Sequence, residues 1–314
     1  MKKVKIGTRG SRLALAQTKW VTQQLNNYYP TLEFEIRHIQ TKGDLIQNVS
    51  LEKIGDKGLF VKEIEQQLLS KEIDLAIHSM KDMPSVSPSG LTFAVMPKRE
   101  DARDVLVLRA SYKRLADLPV GATIGTGSKR RKYQLLNLRP DLNIIPIRGN
   151  IETRMAKIAE DHLDGVILAA AGLIRGGYQN RITEYLPVDK FIPAPAQGAL
   201  ALQIREGDHQ MADLLQVLAN EQAQIEVAAE RGFLRGVEGT CHEPIGAKAV
   251  DPDDVTPTAI KEAGAKILTY GTPVLPGSML LVGYLAWGFR VVRCTLLQQA
   301  LTYYYQEFSQ KIQL

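Results

Sequence analysis

The chain has 314 residues, a length that fits two domains or three small ones and buries an ordinary core without staples. A composition of 45% hydrophobic and 23% charged residues excludes wholesale disorder, and two cysteines, Cys241 and Cys294, exclude a disulfide scaffold and point to a reducing compartment. The net charge of +5 is modest but uneven: between Gly125 and Glu160 stand eight basic residues against three acids, which suits an anionic small ligand or nucleic acid.

Taken in chain order, the first two thirds alternate between short strands and helices. Val4–Thr8 is a predicted strand ending in Arg9-Gly10-Ser11, and Ser11 is placed to cap a helix carrying Leu13, Trp20 and Val21 on one face. Leu32, Phe34 and Ile36 alternate as a strand, Phe60, Ile64 and Leu68 share a helical face, and Ile73–His78 is an apolar strand. Beyond the charged Lys98-Arg99-Glu100-Asp101 boundary the pattern resumes. Val105–Leu108, Asn143–Ile147 and Gly165–Ala170 read as strands, Ser128–Leu138 and Ile151–Glu160 as helices. Such alternation, with runs apolar on both faces, predicts an α/β protein of parallel or mixed sheets covered by helices. Pro193-Ala194-Pro195-Ala196-Gln197-Gly198 marks a second, stiff boundary. The amino-terminal residues lack a signal peptide's apolar core. The longest apolar run, Met279–Phe289, is broken by two glycines and falls short of the roughly 20 residues of a membrane span. A soluble, cytoplasmic protein without membrane partners is expected. Residues 251–314 hold five of the eleven tyrosines with only five acids and five bases, and from Leu285 onward neither a clean period nor a cap signal is present.

Five segments carry chemistry. Thr8-Arg9-Gly10-Ser11 delivers an arginine and a serine to a helix start, either as an anion cradle or as an ordinary N-cap beside a solvated arginine. Gly125-Thr126-Gly127-Ser128-Lys129-Arg130-Arg131 repeats the arrangement with adjacent arginines, whose forks bind carboxylates; the order needed for a nucleotide phosphate loop is absent. Arg148-Gly149-Asn150 with Arg154 is a third basic turn of this kind. Each alone reads equally as a solvated face, but three at strand-to-helix junctions suggest a polyanionic ligand between two domains. In His78-Ser79-Met80-Lys81-Asp82-Met83-Pro84, Lys81 and Asp82 form a candidate charge pair, and Asp82 is a candidate general acid/base or cation stabiliser. The bland alternative is a surface ion pair, with His78 satisfied in the core. Gly239-Thr240-Cys241-His242 places a thiol in a turn, reactive or inert, with no second ligand at zinc spacing, so no metal is expected.

Together with Lys57-Gly58-Leu59-Phe60-Val61-Lys62-Glu63, Arg99-Glu100-Asp101-Ala102-Arg103-Asp104, Leu168-Ala169-Ala170-Ala171-Gly172-Leu173 and Gln197-Gly198-Ala199, these segments resemble the porphobilinogen deaminase (hydroxymethylbilane synthase) family, from Lys5 to about Val250. The resemblance implies head-to-tail condensation of four porphobilinogen units with loss of ammonia, primed by a dipyrromethane cofactor on a cysteine, here Cys241. It further implies that Arg9, Ser11, Lys81, Thr126, Ser128, Arg130, Arg131, Arg148, Arg154 and Gln197 hold cofactor and substrate carboxylates, and that Asp82 stabilises a cationic azafulvene and moves protons. The implied fold has two domains like those of periplasmic binding proteins, 1–98 with 196–218 and 99–195, and a small α/β third domain beginning at 219–250. A monomer acting on porphobilinogen, with no nucleic-acid partner, is expected.

Beyond Val250 the family pattern stops. Asp251–Gly277 resembles a fragment of a molybdopterin-binding domain, with a strand expected at Met279–Leu285, and Trp287 onward resembles neither family. Residues 251–314 are therefore read as an atypical segment, either a coding junction followed by a shifted frame or a divergent extension. An altered third domain leaves a second reading open: a two-domain anion-binding protein that cannot assemble its cofactor.

Overall fold

A computed structural model describes residues 3–41, 43, 61–236 and 243–249, and three further strands within 266–293. The first sheet contains β1 (Lys3–Thr8), β2 (Glu33–His38), β3 (Leu75–Ser79), β4 (Leu91–Phe93) and, from much later in the chain, β10 (Leu200–Arg205). Its order is β2-β1-β3-β10-β4; β1 runs parallel to β2 and β3, and β10 is antiparallel to both its neighbours. Helices α1 (Arg12–Tyr28) and α2 (Lys62–Leu69) connect the parallel strands. Val4, Ile6, Val21, Leu25, Leu75 and Leu202 close one core, while Ile64, Leu68 and Ile73 pack in another. The predicted α1 face is met at Val21, with Trp20 packed at the core's edge; of the predicted α2 face, Ile64 and Leu68 are fully buried and Phe60 lies outside the described residues.

The second sheet repeats this plan. It contains β5 (Asp104–Leu108), β6 (Thr123–Gly125), β7 (Asn143–Ile145), β8 (Gly165–Ala169) and β9 (Glu184–Tyr185), in the order β7-β6-β8-β5-β9, with β6 parallel to β7 and β8 and β5 antiparallel to β8 and β9. Helices α3 (Lys129–Leu138), α4 (Ile151–Glu160) and α5 (Ala170–Arg175) leave the ends of β6, β7 and β8 respectively. Every residue of β5 is buried, which accounts for its continuous apolar run, and its two faces feed separate cores.

In each sheet the antiparallel strand is the one entered after a crossing: β5 after the first and β10 after the second. The crossings lie side by side, with Glu100 N–H donating to the Gly198 carbonyl at 3.2 Å and Arg99 Nε to the Gln197 carbonyl at 2.9 Å. Gly198 has φ +90°, and a Cβ there would sit 2.4 Å from the Glu100 carbonyl oxygen, so only glycine allows the two strands of the crossing to touch. Ala196 beside it holds φ +60°, an uncommon conformation for a residue with a Cβ.

After α6 (His209–Leu215), α7 (Glu221–Gly236) docks Ala223 and Val227 against Met80, Met83, Met96 and Ala196, beneath the crossing. Three further strands, β11 (Lys266–Tyr270), β12 (Leu281–Tyr284) and β13 (Arg290–Arg293), pair antiparallel in sequence order. The strand expected at Met279–Leu285 is thus found as β12, and β13 falls where the sequence offered no pattern. No helix among the described residues is long and apolar enough to cross a membrane.

Candidate active site

Three helices start at the carboxyl ends of parallel strands, each with the cap that the sequence indicated or allowed. Ser11 Oγ accepts Ala14 N–H at 3.3 Å after β1, Ser128 Oγ accepts Arg131 N–H at 3.4 Å after β6, and Asn150 Oδ1 accepts Thr153 N–H at 2.8 Å after β7. Each cap leaves other first-turn N–H groups facing the end of the sheet where ligands of such folds sit. Thr126 is buried and its Oγ1 accepts Ser128 N–H at 3.2 Å, which fixes the turn between β6 and α3.

Asp82 lies on a single 3₁₀ turn, Met80–Asp82, directly after β3. Met80 and Met83 are buried and anchor the turn at both ends, so Asp82 is presented outward while Lys81 is half-buried. The Lys81 ammonium donates to Gln197 Oε1 at 3.2 Å, while Asp82 favours its charged form through space. His78 lies buried in the core, as the bland alternative has it, with Nε2 outside the hydrogen-bond geometry of any partner, and burial pushes the imidazole down to about 4. The ring is therefore neutral at ordinary pH, with Gln203 and Arg9 near enough to act on it.

Arg130 and Arg131 are both buried, and Asp104, fully buried at the start of β5, lies between them. Arg130 Nη1 donates to Asp104 Oδ2 at 2.7 Å and to the Ile192 carbonyl at 2.6 Å; Arg131 Nε donates to Asp104 Oδ1 at 2.8 Å. Burial acts to raise the Asp104 carboxyl, but the two guanidiniums outweigh it and hold it well below the usual carboxylate range. Gln197, also fully buried, donates from Nε2 to the Ala102 carbonyl at 2.7 Å and to Asp104 Oδ1 at 3.1 Å. Its amide is thus taken up by protein groups, and it bears on a ligand through Lys81.

Two further arginines are held by backbone carbonyls. Arg154 donates from Nε to the Gly149 carbonyl at 2.8 Å, and burial, with Arg131 and Arg148 nearby, pushes it down to about 10 although Asp82 opposes the shift. Arg175, which the sequence reading missed, donates to the Gly198 carbonyl at 2.9 Å and is likewise pushed down to about 10 by burial. Half-buried guanidiniums held by carbonyls rather than by carboxylates suit a ligand that brings its own carboxylates. Asp82 from the first sheet acts electrostatically on Arg154 of the second, and Lys81 feels Arg131, Asp104 and Arg130, so the site lies between the sheets.

Lys81 gives this site a pH signature. Burial pushes it down to about 8, against the pull of Asp82 and Asp104 and with the push of Arg131 and Arg130. It is charged below that pH and neutral above it. Affinity for a carboxylate ligand should therefore fall as pH rises through about 8. Calorimetric titration with porphobilinogen between pH 7 and 10 checks this, and Lys81→Met should flatten the alkaline limb.

Among the residues expected from the sequence, Arg9, Ser11, Lys81, Asp82, Thr126, Ser128, Arg130, Arg131, Arg148, Arg154 and Gln197 lie at the ends of the strands or at the crossing between the sheets, and Cys241 lies outside the described residues. Asp104 was missed as well as Arg175; its signal was an acid opening the buried run Val105–Leu108, which demands a counter-ion.

Residues 4–213 match the family model described as "Porphobilinogen deaminase, dipyromethane cofactor binding domain". The chain is 62% identical over 242 residues to a porphobilinogen deaminase of Clostridioides difficile, covering 77% of this chain and 80% of that protein. It is 52% identical over 272 residues to one of Clostridium novyi, covering 85% of this chain and 91% of its relative, so that alignment is longer than the 250 residues ending at Val250. A solved periplasmic substrate-binding protein of Coxiella burnetii is similar at a TM-score of 0.44 and 14% identity, over 73% of this chain and 96% of that one. On the family model and the two close relatives, the chain belongs to the porphobilinogen deaminase family.

Proposed function

We propose that this protein joins four porphobilinogen units head to tail into hydroxymethylbilane, priming on a dipyrromethane attached to Cys241, and that it works as a cytoplasmic monomer. The observation that carries this reading is the charge of the cleft: half-buried Arg154 and Arg175 are held by backbone carbonyls, and Asp104 offsets one charge among Arg130, Arg131 and Lys81. A substrate with two carboxylates per ring offsets this excess. The dipyrromethane, when bound, supplies the free pyrrole carbon to which the first unit is joined.

The protein's own groups have three tasks. Arg9, Arg130, Arg131, Arg148 and Arg154, with the N–H groups and hydroxyls of the capped turns at Ser11, Thr126 and Ser128, hold carboxylates and so orient each ring. Buried Met80 and Met83 keep Asp82 in place while the chain of rings grows. As the substrate's C–N bond breaks and ammonia leaves, Asp82 stabilises the resulting cation; when the new C–C bond has formed, it takes the proton released by the attacking pyrrole. Residues 219–250 begin the cofactor-carrying domain, with α7 as its root.

Intact mass of the purified chain beside a Cys241→Ser control tests the proposal. Added mass of two linked pyrrole units, absent from the control, together with hydroxymethylbilane formation, is the expected result. A mass that stays bare after incubation with porphobilinogen would instead support the anion-binding protein without a primer.

A further inference from the structure

We propose that Asp104 is a positioning residue of this site: its carboxylate fixes the directions of Arg130 and Arg131 and, through Gln197, of Lys81, before any ligand arrives. The proposal rests on the functional reading above and adds a residue to it. The geometry is that of a hub. Oδ2 receives Arg130 Nη1 at 2.7 Å, while Oδ1 receives Arg131 Nε at 2.8 Å, Arg131 Nη2 at 2.7 Å and Gln197 Nε2 at 3.1 Å. Gln197 then accepts Lys81 Nζ at 3.2 Å on its other amide atom. One buried carboxylate therefore ties a lysine from the end of the first sheet, a glutamine of the second crossing and two arginines on the first turn of α3.

Adjacent guanidiniums repel each other and would turn apart toward water without an anion between them. Asp104 is fully buried, so it cannot itself meet a ligand; it acts through the cations it aims. Three cations gather around this one carboxylate, which leaves positive charge for the ligand's carboxylates while the internal one sets orientation.

The link to Lys81 separates positioning from mere folding support. The charged groups that bear on Lys81 are Asp82 on its own turn and Arg130, Arg131 and Asp104 from the second sheet. Of these, Asp104 and Asp82 favour the charged ammonium. Removing the Asp104 charge must move the alkaline limb of ligand binding to lower pH, an effect that loss of packing alone does not produce.

The experiment uses the full chain carrying Cys241→Ser, with porphobilinogen as the calorimetric probe from pH 6.5 to 9.5 and circular dichroism to confirm folding. Adding Asp104→Asn should lower affinity at pH 7 about tenfold and shift the alkaline limb by roughly half a pH unit or more toward acid. If that variant does not fold, Gln197→Met keeps the Asp104 charge, removes the bonds of Gln197 to Lys81, Asp104 and the Ala102 carbonyl, and should shift the same limb. A folded variant with unchanged affinity and an unmoved limb overturns the proposal alone. Absence of porphobilinogen binding in the Cys241→Ser parent overturns the functional reading, and the proposal with it.

Discussion

Asp82→Asn is expected to lower kcat by about 100-fold or more, which is roughly 3 kcal/mol of transition-state stabilisation, while KM for porphobilinogen stays within about threefold of its parent value. The substitution is isosteric, and the turn that carries it is fixed by other groups: Met80 N–H donates to the Ala199 carbonyl at 3.0 Å and Met83 N–H to the Met80 carbonyl at 3.1 Å. The fold should therefore be unchanged. Asparagine keeps a hydrogen-bonding oxygen but carries no charge to stabilise the cation left by ammonia, and it cannot hold the proton that the pyrrole gives up. Under the proposed function substrate binding falls to Arg131, Arg148 and Arg154, which the substitution leaves in place. A fall in kcat and in kcat/KM by the same factor marks an interaction made in the transition state. Steady-state kinetics on protein whose loaded mass has first been verified is the check, and a kcat within threefold of the parent would remove Asp82 from the chemistry.

The contrast between Asp82 and Asp104 shows which parts of this site a sequence reveals. Ser11 was legible as a cap because a cap and the helix it begins are neighbours in the chain. Ile151–Glu160 was legible to the residue from its period, and the structure adds Asn150 as its cap. Asp82 stood out because it follows an apolar strand directly. The Asp104 hub was not legible, since Arg130 lies 26 residues away and Gln197 93 residues away, and only the antiparallel entry of β5 after the first crossing brings them together. Arg175 carried no signal in the sequence; its place in the site comes from the returning chain at Gly198, whose carbonyl it meets. Local periodicity carries no information about a chain that leaves one sheet and returns to it about 100 residues later. The strand β13 was missed for a different reason: Arg290–Arg293 is flanked by neither an alternating pattern nor turn residues.

Glu230→Ala should cost about 3–5 kcal/mol of stability, the range for removing one partner of a buried ion pair. Its side chain is 1% exposed and accepts Arg99 Nη1 and Nη2, each at 2.8 Å, together with Ala196 N–H at 2.6 Å and Ala249 N–H at 3.1 Å. Alanine leaves two backbone donors without this acceptor and the Arg99 guanidinium, 8% exposed, with Glu226 as its remaining carboxylate. It also releases the N–H that holds Ala196 at φ +60°. These losses fall on one place, since Arg99 and Ala196 belong to the two crossings and Glu230 to α7, which is packed beneath them. The same helix carries Arg231, whose Nη2 donates to the Pro84 carbonyl at 2.7 Å just beyond Asp82. Loosening α7 therefore disturbs the crossing and the Asp82 turn together. Urea denaturation measures the loss, and a cycle with Arg99→Met identifies its source. Because an apolar pair can replace a buried ion pair at little cost, Arg99→Met with Glu230→Met should be at least about 1 kcal/mol more stable than the sum of the single losses predicts. Additive losses would place the cost in the orphaned backbone donors rather than in the unpaired charge, and a loss below about 1 kcal/mol for Glu230→Ala would mean that α7 does not secure the crossing.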